Sequence, residues 1–205
     1  MFATGGLAST ALPRIGGDSV SCNLLVNDGH KDLGYISPVW NRYGQYGTLQ
    51  PTATGALEVE FSSDSTSSRH LDVWTINGPD SDFPVFGADG VDMNIGSINY
   101  AYIAGTSPTQ PDSPTVPRPN SFTNRTGFDA SAQGFIWQYD PATGALRPQW
   151  TNLDSSTPKM HTLYAENERT LFITGDPTAF AEAMDASYLE VTLVCVPGDV
   201  LNFNW

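Results

Sequence analysis

The chain has 205 residues, with 22 acidic side chains against 9 basic ones and a formal net charge of −13. That length fits one domain or at most two small ones, and folding such a chain removes about 70% of the surface it exposes when unfolded. The acidity repels phosphate backbones and anionic membrane surfaces, so nucleic acid and membrane are not expected partners, and with no run of 18 apolar residues no helix is expected to span a bilayer.

Hydrophobic residues make up 40% and charged residues only 15%, with 19 glycines and 15 prolines, which suits a β-rich globule with frequent turns. The first segment, MFATGGLASTALPRIGG, has its apolar stretch broken by glycines and no basic residue ahead of it, so it does not read as a signal peptide. Residues 1–21 are taken as an N-terminal extension and residues 22–205 as a single domain.

From there strict alternation recurs. SCNLLV puts Cys22 in phase with Leu24 and Val26 on the apolar face of a strand. In VWNRYGQYG, Trp40, Tyr43 and Tyr46 stand three apart among glycines and polar residues, a pattern of rings presented from a turn or loop. ALEVEFS (56–62) sets Leu57, Val59 and Phe61 against Glu58 and Glu60. HLDVWTIN (70–77) is a further strand, and SINYAYIAGT (97–106) puts Tyr100 and Tyr102 on one face.

Residues 105–127 hold five prolines and no periodicity, the composition of a long surface loop. The loop carries one N-x-S/T sequon, at Asn124, a candidate glycosylation site if the protein is secreted. FIWQYDPATGALRPQW (135–150) then reads as a hairpin. Pro141 fixes φ, Asp140 can accept from the backbone ahead of it and Gly144 tolerates positive φ. Because Pro148 donates no hydrogen bond, the second arm is expected at a sheet edge. TLYAENERTLFITG (162–175) is a second hairpin, turning at Ala165–Arg169. The one helix expected starts at Asp176 as N-cap with Pro177 as its first residue. YLEVTLVCVP (188–197) closes the series with Cys195 in phase with Leu193 and Val191.

The fold expected from these elements is all-β: a two-sheet antiparallel sandwich with one short helix and a long proline-rich loop. Cys22 and Cys195 either form a bridge between neighbouring terminal strands or remain two buried thiols. A bridge would imply an oxidising compartment and would add roughly 5 kcal/mol by closing a very long loop.

Motifs of chemistry are scarce. GxSxG, HExxH, CxxC and phosphate-loop patterns are absent, and His30, His70 and His161 lie in different segments. Whether a metal binds is unknown at this level: Asp89-Gly90-Val91-Asp92-Met93-Asn94 offers oxygens near glycine turns but lacks the rest of a calcium loop and reads first as an acidic turn. No catalytic set stands out, and the expectation is a protein that is not an enzyme. The aromatic residues are the stronger signal. Trp40, Tyr43, Tyr46, Trp137, Tyr139 and Trp150, with Arg42 and His161 as compensating charges, are the candidate ligand-binding residues, with core packing as the alternative for the sheet-borne rings.

Four stretches, DLGYISPVWNRYGQYG (32–47), IWQYDPATGALRPQW (136–150), LFITGDPTAF (171–180) and EVTLVCVP (190–197), together resemble small secreted proteins of mushroom-forming fungi. Within that group the likeness points toward the pink chromoprotein of oyster-type mushrooms. The resemblance implies secretion and a non-enzymatic carrier of a flat, indolone-like aromatic pigment held non-covalently. The alternative is a secreted carbohydrate-binding or cell-wall surface protein, in which the same rings would stack on sugars.

Overall fold

The computed structural model describes residues 18–63, 71–185 and 187–198. Most of the expected N-terminal extension and His70 lie outside them. The first half of the chain forms β1 (Asp18–Asn27), β2 (Asp32–Ile36), β3 (Leu49–Gln50), β4 (Glu58–Ser63), β5 (Trp74–Thr75), β6 (Val85–Gly90) and β7 (Tyr100–Thr106). Then come β8 (Val116–Pro117), helix α1 (Ser121–Thr126), β9 (Ser131–Gln133), β10 (Trp137–Asp140) and β11 (Ala145–Pro148). β12 (His161–Ala165), β13 (Thr170–Thr174), helix α2 (Pro177–Met184) and β14 (Leu189–Pro197) complete the order.

The expected sandwich is overturned. The sheet closes on itself as an antiparallel barrel of eight strands, β14-β12-β13-β7-β6-β5-β4-β1, and β1 returns to pair with β14. The closing seam runs over six registered pairs, from Cys22 opposite Pro197 to Asn27 opposite Thr192. Alternating apolar residues show that each strand has one buried face. They do not show whether the outermost strands meet, and that meeting is the difference between a barrel and a sandwich. The remaining strands hang on this ring: β2 and β3 beside β1, the β10–β11 hairpin on β14, and β8 and β9 beside β6.

The strand reading is otherwise close. In β4, Val59 and Phe61 are buried and Glu58 is exposed. Of HLDVWTIN only Trp74–Thr75 forms a strand, with Leu71 making an isolated bridge to Trp137. β12 and β13 form the expected hairpin. In α2 the Asp176 side chain accepts from the backbone N–H groups of Thr178 and Ala179, both at 3.0 Å.

Among the described residues there are two helices rather than one. The second sits inside the proline-rich loop. Asn120 caps α1 by accepting from Thr123 N at 2.8 Å and donates to the Arg118 and Ala130 carbonyls. Ser121 donates to the Gly44 carbonyl and accepts from Gly105 N. Both residues are fully buried, so this segment is pinned to the barrel rather than loose over it. Asn124 is exposed, but on this helix and not in an irregular loop.

The 135–150 hairpin turns as its residues require. Asp140 accepts from Ala142 N, Gly144 N donates to the Asp140 carbonyl, and Gly144 has φ +72°. The second arm is not the edge. β11 lies between β10 and β14, yet β14 pairs only with Ala145 and Leu146. Pro148 stands beyond that contact, so its missing N–H leaves no ladder bond unmade.

Candidate functional site

Three of the six aromatic residues singled out from the sequence lie in the core. Tyr46, Trp137 and Trp150 are fully buried. Tyr46 belongs to a segment wedged between β7 and β13, with its N–H donating to the Ile103 carbonyl and its carbonyl accepting from Leu171 N, both at 2.9 Å. The wedge needs glycine: a Cβ on Gly44, at φ +82°, would stand 2.3 Å from the Ser121 carbonyl oxygen. Trp137 reaches from β10 to β6, where it stacks on Phe86 at 5.4 Å between centroids and donates to the Phe86 carbonyl. Tyr46 packs on the same Phe86 ring at 5.1 Å. These rings spend their faces on one another.

The other rings divide. Trp40 is half-buried, edge-on to Tyr46 at 6.0 Å, with the Arg125 guanidinium at 6.0 Å from its ring. Tyr139 is half-buried against Phe61 at 4.9 Å. Tyr43 is 42% exposed, and Arg42 lies over its ring at 4.6 Å. Thus the Trp40–Tyr43–Tyr46 spacing does not make one face: Tyr46 points into the core and Tyr43 into solvent.

His161 lines a concave site. A cleft of about 580 Å³ opens between the β10–β11 hairpin, the segment 157–160 and strands β12 and β14. That volume is within the usual range for small-molecule sites. Leu146, Met160 and Val191 form its floor but are buried in the core, Pro148 is the partly exposed apolar residue, and Gln138, Gln149, Thr157 and Thr192 supply amide and hydroxyl groups. Its ionisable residues are Arg147, Lys159, His161 and Glu190. His161 Nδ1 and Glu190 Oε1 are 2.6 Å apart. Gln138 donates to Gln149 Oε1 at 2.8 Å, fixing the hairpin side. No Trp, Tyr or Phe is among the lining residues.

Arg147, Lys159 and Glu190 carry no sequence signal, since three separate segments supply them. Register brings them together: Gln149 bridges Lys159, and Thr162 lies opposite Val191.

A second chemical feature lies away from the cleft. Asp89 is 4% exposed and its Oδ1 has no hydrogen-bond partner. It stands opposite Tyr102 in the β6–β7 register and opposite Ala132 on β9. Burial pushes its carboxyl up to about 7, and burial does the same to Asp72. The oxygens of the 89–94 stretch do not converge. Asp92 accepts from Leu153 N at 2.9 Å and Asn94 Oδ1 accepts from Asn152 at 3.1 Å. Among the described residues no group of three or more His, Cys, Asp or Glu side chains is placed to hold a metal ion.

Cys22 and Cys195 form a disulfide across the barrel seam, with Cα atoms 5.4 Å apart. No helix among the described residues is long and apolar enough to cross a membrane. No family model, curated protein or solved structure matches the chain.

Proposed function

We propose that this protein is a non-enzymatic carrier of a small organic molecule, taken up in the cleft between the β10–β11 hairpin and strands β12 and β14. The observation that carries the reading is the cleft itself: about 580 Å³, lined mainly by polar and ionisable side chains over a floor of buried apolar residues. A flat aromatic pigment, the ligand the fungal resemblance implies, would lie against Pro148 and the aliphatic stems of the longer side chains. Its polar edge would meet Arg147, Lys159 and His161. The cleft lining lacks the aromatic platform on which sugars stack, so carbohydrate binding draws less support from it. The disulfide suits secretion into an oxidising compartment.

The test is a visible spectrum and mass spectra, native and denaturing, of the protein purified from its natural source, beside Thr192→Trp produced in the same host. Thr192 is exposed on the cleft wall, and a Trp there obstructs the cleft. The expected result is a small molecule released from the wild type on unfolding and missing from the variant. A wild-type protein of bare polypeptide mass, or a ligand retained by Thr192→Trp, would sink the proposal.

A further inference from the structure

The geometry points to an organic anion, a carboxylate or a group of equal charge and shape, as the ligand class of the cleft; this rests on the carrier reading above. The cleft reverses the balance of the chain. The whole protein has 22 acids against 9 bases, yet two of those bases, Arg147 and Lys159, line the cleft beside a single carboxylate, Glu190.

That carboxylate is already engaged, since its Oε1 lies 2.6 Å from His161 Nδ1. Arg147 has only Asp140 nearby, at 3.7 Å. Asp140 is committed to the turn: it accepts from the Thr143 hydroxyl at 2.8 Å and from Ala142 N at 3.0 Å. Lys159 forms no ion pair with any carboxylate among the described residues. Lys159 thus faces the concavity without a carboxylate partner, and Arg147 shares its one with the turn, in a molecule whose overall field is negative.

Their placement suits one shared ligand. Arg147 and Gln149, two apart in extended chain, point to the same side, and Lys159 stands opposite Gln149. Diagonal neighbours in such a pairing sit roughly 7–8 Å apart. That is a span two long basic side chains close easily around a carboxylate, with the Arg fork supplying paired donors and Lys a point charge. Gln149, Thr157 and Thr192 add neutral hydrogen bonds, and the partly exposed Pro148 offers an apolar contact. The outcome is selection by charge: a neutral isostere would meet the same walls without the ionic contacts.

The experiment uses matched pairs, indole-3-carboxylate with indole-3-carboxamide and benzoate with benzamide, titrated into the full chain by ligand-observed NMR at low and high salt. Wild type, Lys159→Gln, Arg147→Gln and Thr192→Trp are compared. Solvent-exposed ionic contacts of this kind change affinity by up to about fivefold each. The acids are therefore expected to bind tighter than their amides by several-fold, up to about 25-fold, at low salt. Each charge-removing variant should narrow that gap, leave the amides unchanged and keep the wild-type melting temperature. Acids and amides binding equally, both blocked by Thr192→Trp, would overturn the anion class and leave the carrier reading standing. Binding of neither at millimolar concentration would overturn both.

Discussion

At the scale of single residues, Asp89 is the least comfortable group in the described chain. It is nearly sealed from water, one oxygen lacks a donor, and the neighbours that its register gives it are Tyr102 and Ala132. Burial of an unpaired carboxylate favours its neutral form, which is why it titrates near 7 instead of near 3.8. The folded state then binds the proton more tightly than the unfolded state does. Stability from this source is complete below about pH 4 and is lost as pH rises through about 7. Asp72 acts in the same direction over the same window. Asp89→Asn removes one of the two titrations. The difference in urea midpoint between pH 5 and pH 7.5 is expected to shrink, by an amount on the order of 3 kcal/mol in unfolding free energy at most. An unchanged difference would show that Asp89 is solvated or paired when folded. The sequence marked Asp89 only as part of an acidic turn, and it is the arrival of β7 and β9 on either side of β6 that buries the carboxylate.

At the scale of elements, the parts that local chemistry specifies were legible. Asp140 and Gly144 make their turn, Asp176 and Pro177 start their helix, and β4 alternates as written. The parts that depend on a distant partner were not. Asn152 is 1% exposed and binds the 93–94 stretch from both sides: it accepts from Met93 N and donates to the Met93 carbonyl, each at 2.9 Å. In the sequence it is one polar residue in TNLDSS. Asn152→Ala strands the buried backbone groups of Met93, and such a loss costs about 2–4 kcal/mol when both a donor and an acceptor go unpaired. Chemical denaturation is the measurement. A variant within about 0.5 kcal/mol of wild type, the range of ordinary surface substitutions, would mean that water replaces the amide. The 40–47 segment follows the same logic. Its glycines suggested a loop displaying rings, whereas Gly44 in fact permits close contact with Ser121 and carries Tyr46 into the core.

At the scale of the whole molecule, the barrel is one ring whose seam joins β1 to β14, and Cys22–Cys195 lies at that seam, joining cysteines at a sequence separation of 173. Closing so long a loop removes unfolded-state entropy worth about 5 kcal/mol in the chain-entropy model. Reduction under mild denaturant, or Cys22→Ser with Cys195→Ser, is expected to lower stability by about 3–5 kcal/mol. A loss below about 1 kcal/mol would mean that the seam's hydrogen bonds hold the ring by themselves.

By itself the sequence determined the β class, the two hairpins with their turns, the capped helix and the in-phase placement of both cysteines. These follow from near-neighbour effects: side-chain alternation, proline and glycine torsions, and capping bonds. Tertiary structure alone decided that the outer strands meet, that Tyr46, Trp137 and Trp150 are core, and that Arg147, Lys159, His161 and Glu190 share a cleft. The reason is that a strand's period names the face it buries but not the strand that lies beside it. Closure and cleft are both properties of pairings between residues far apart in the chain.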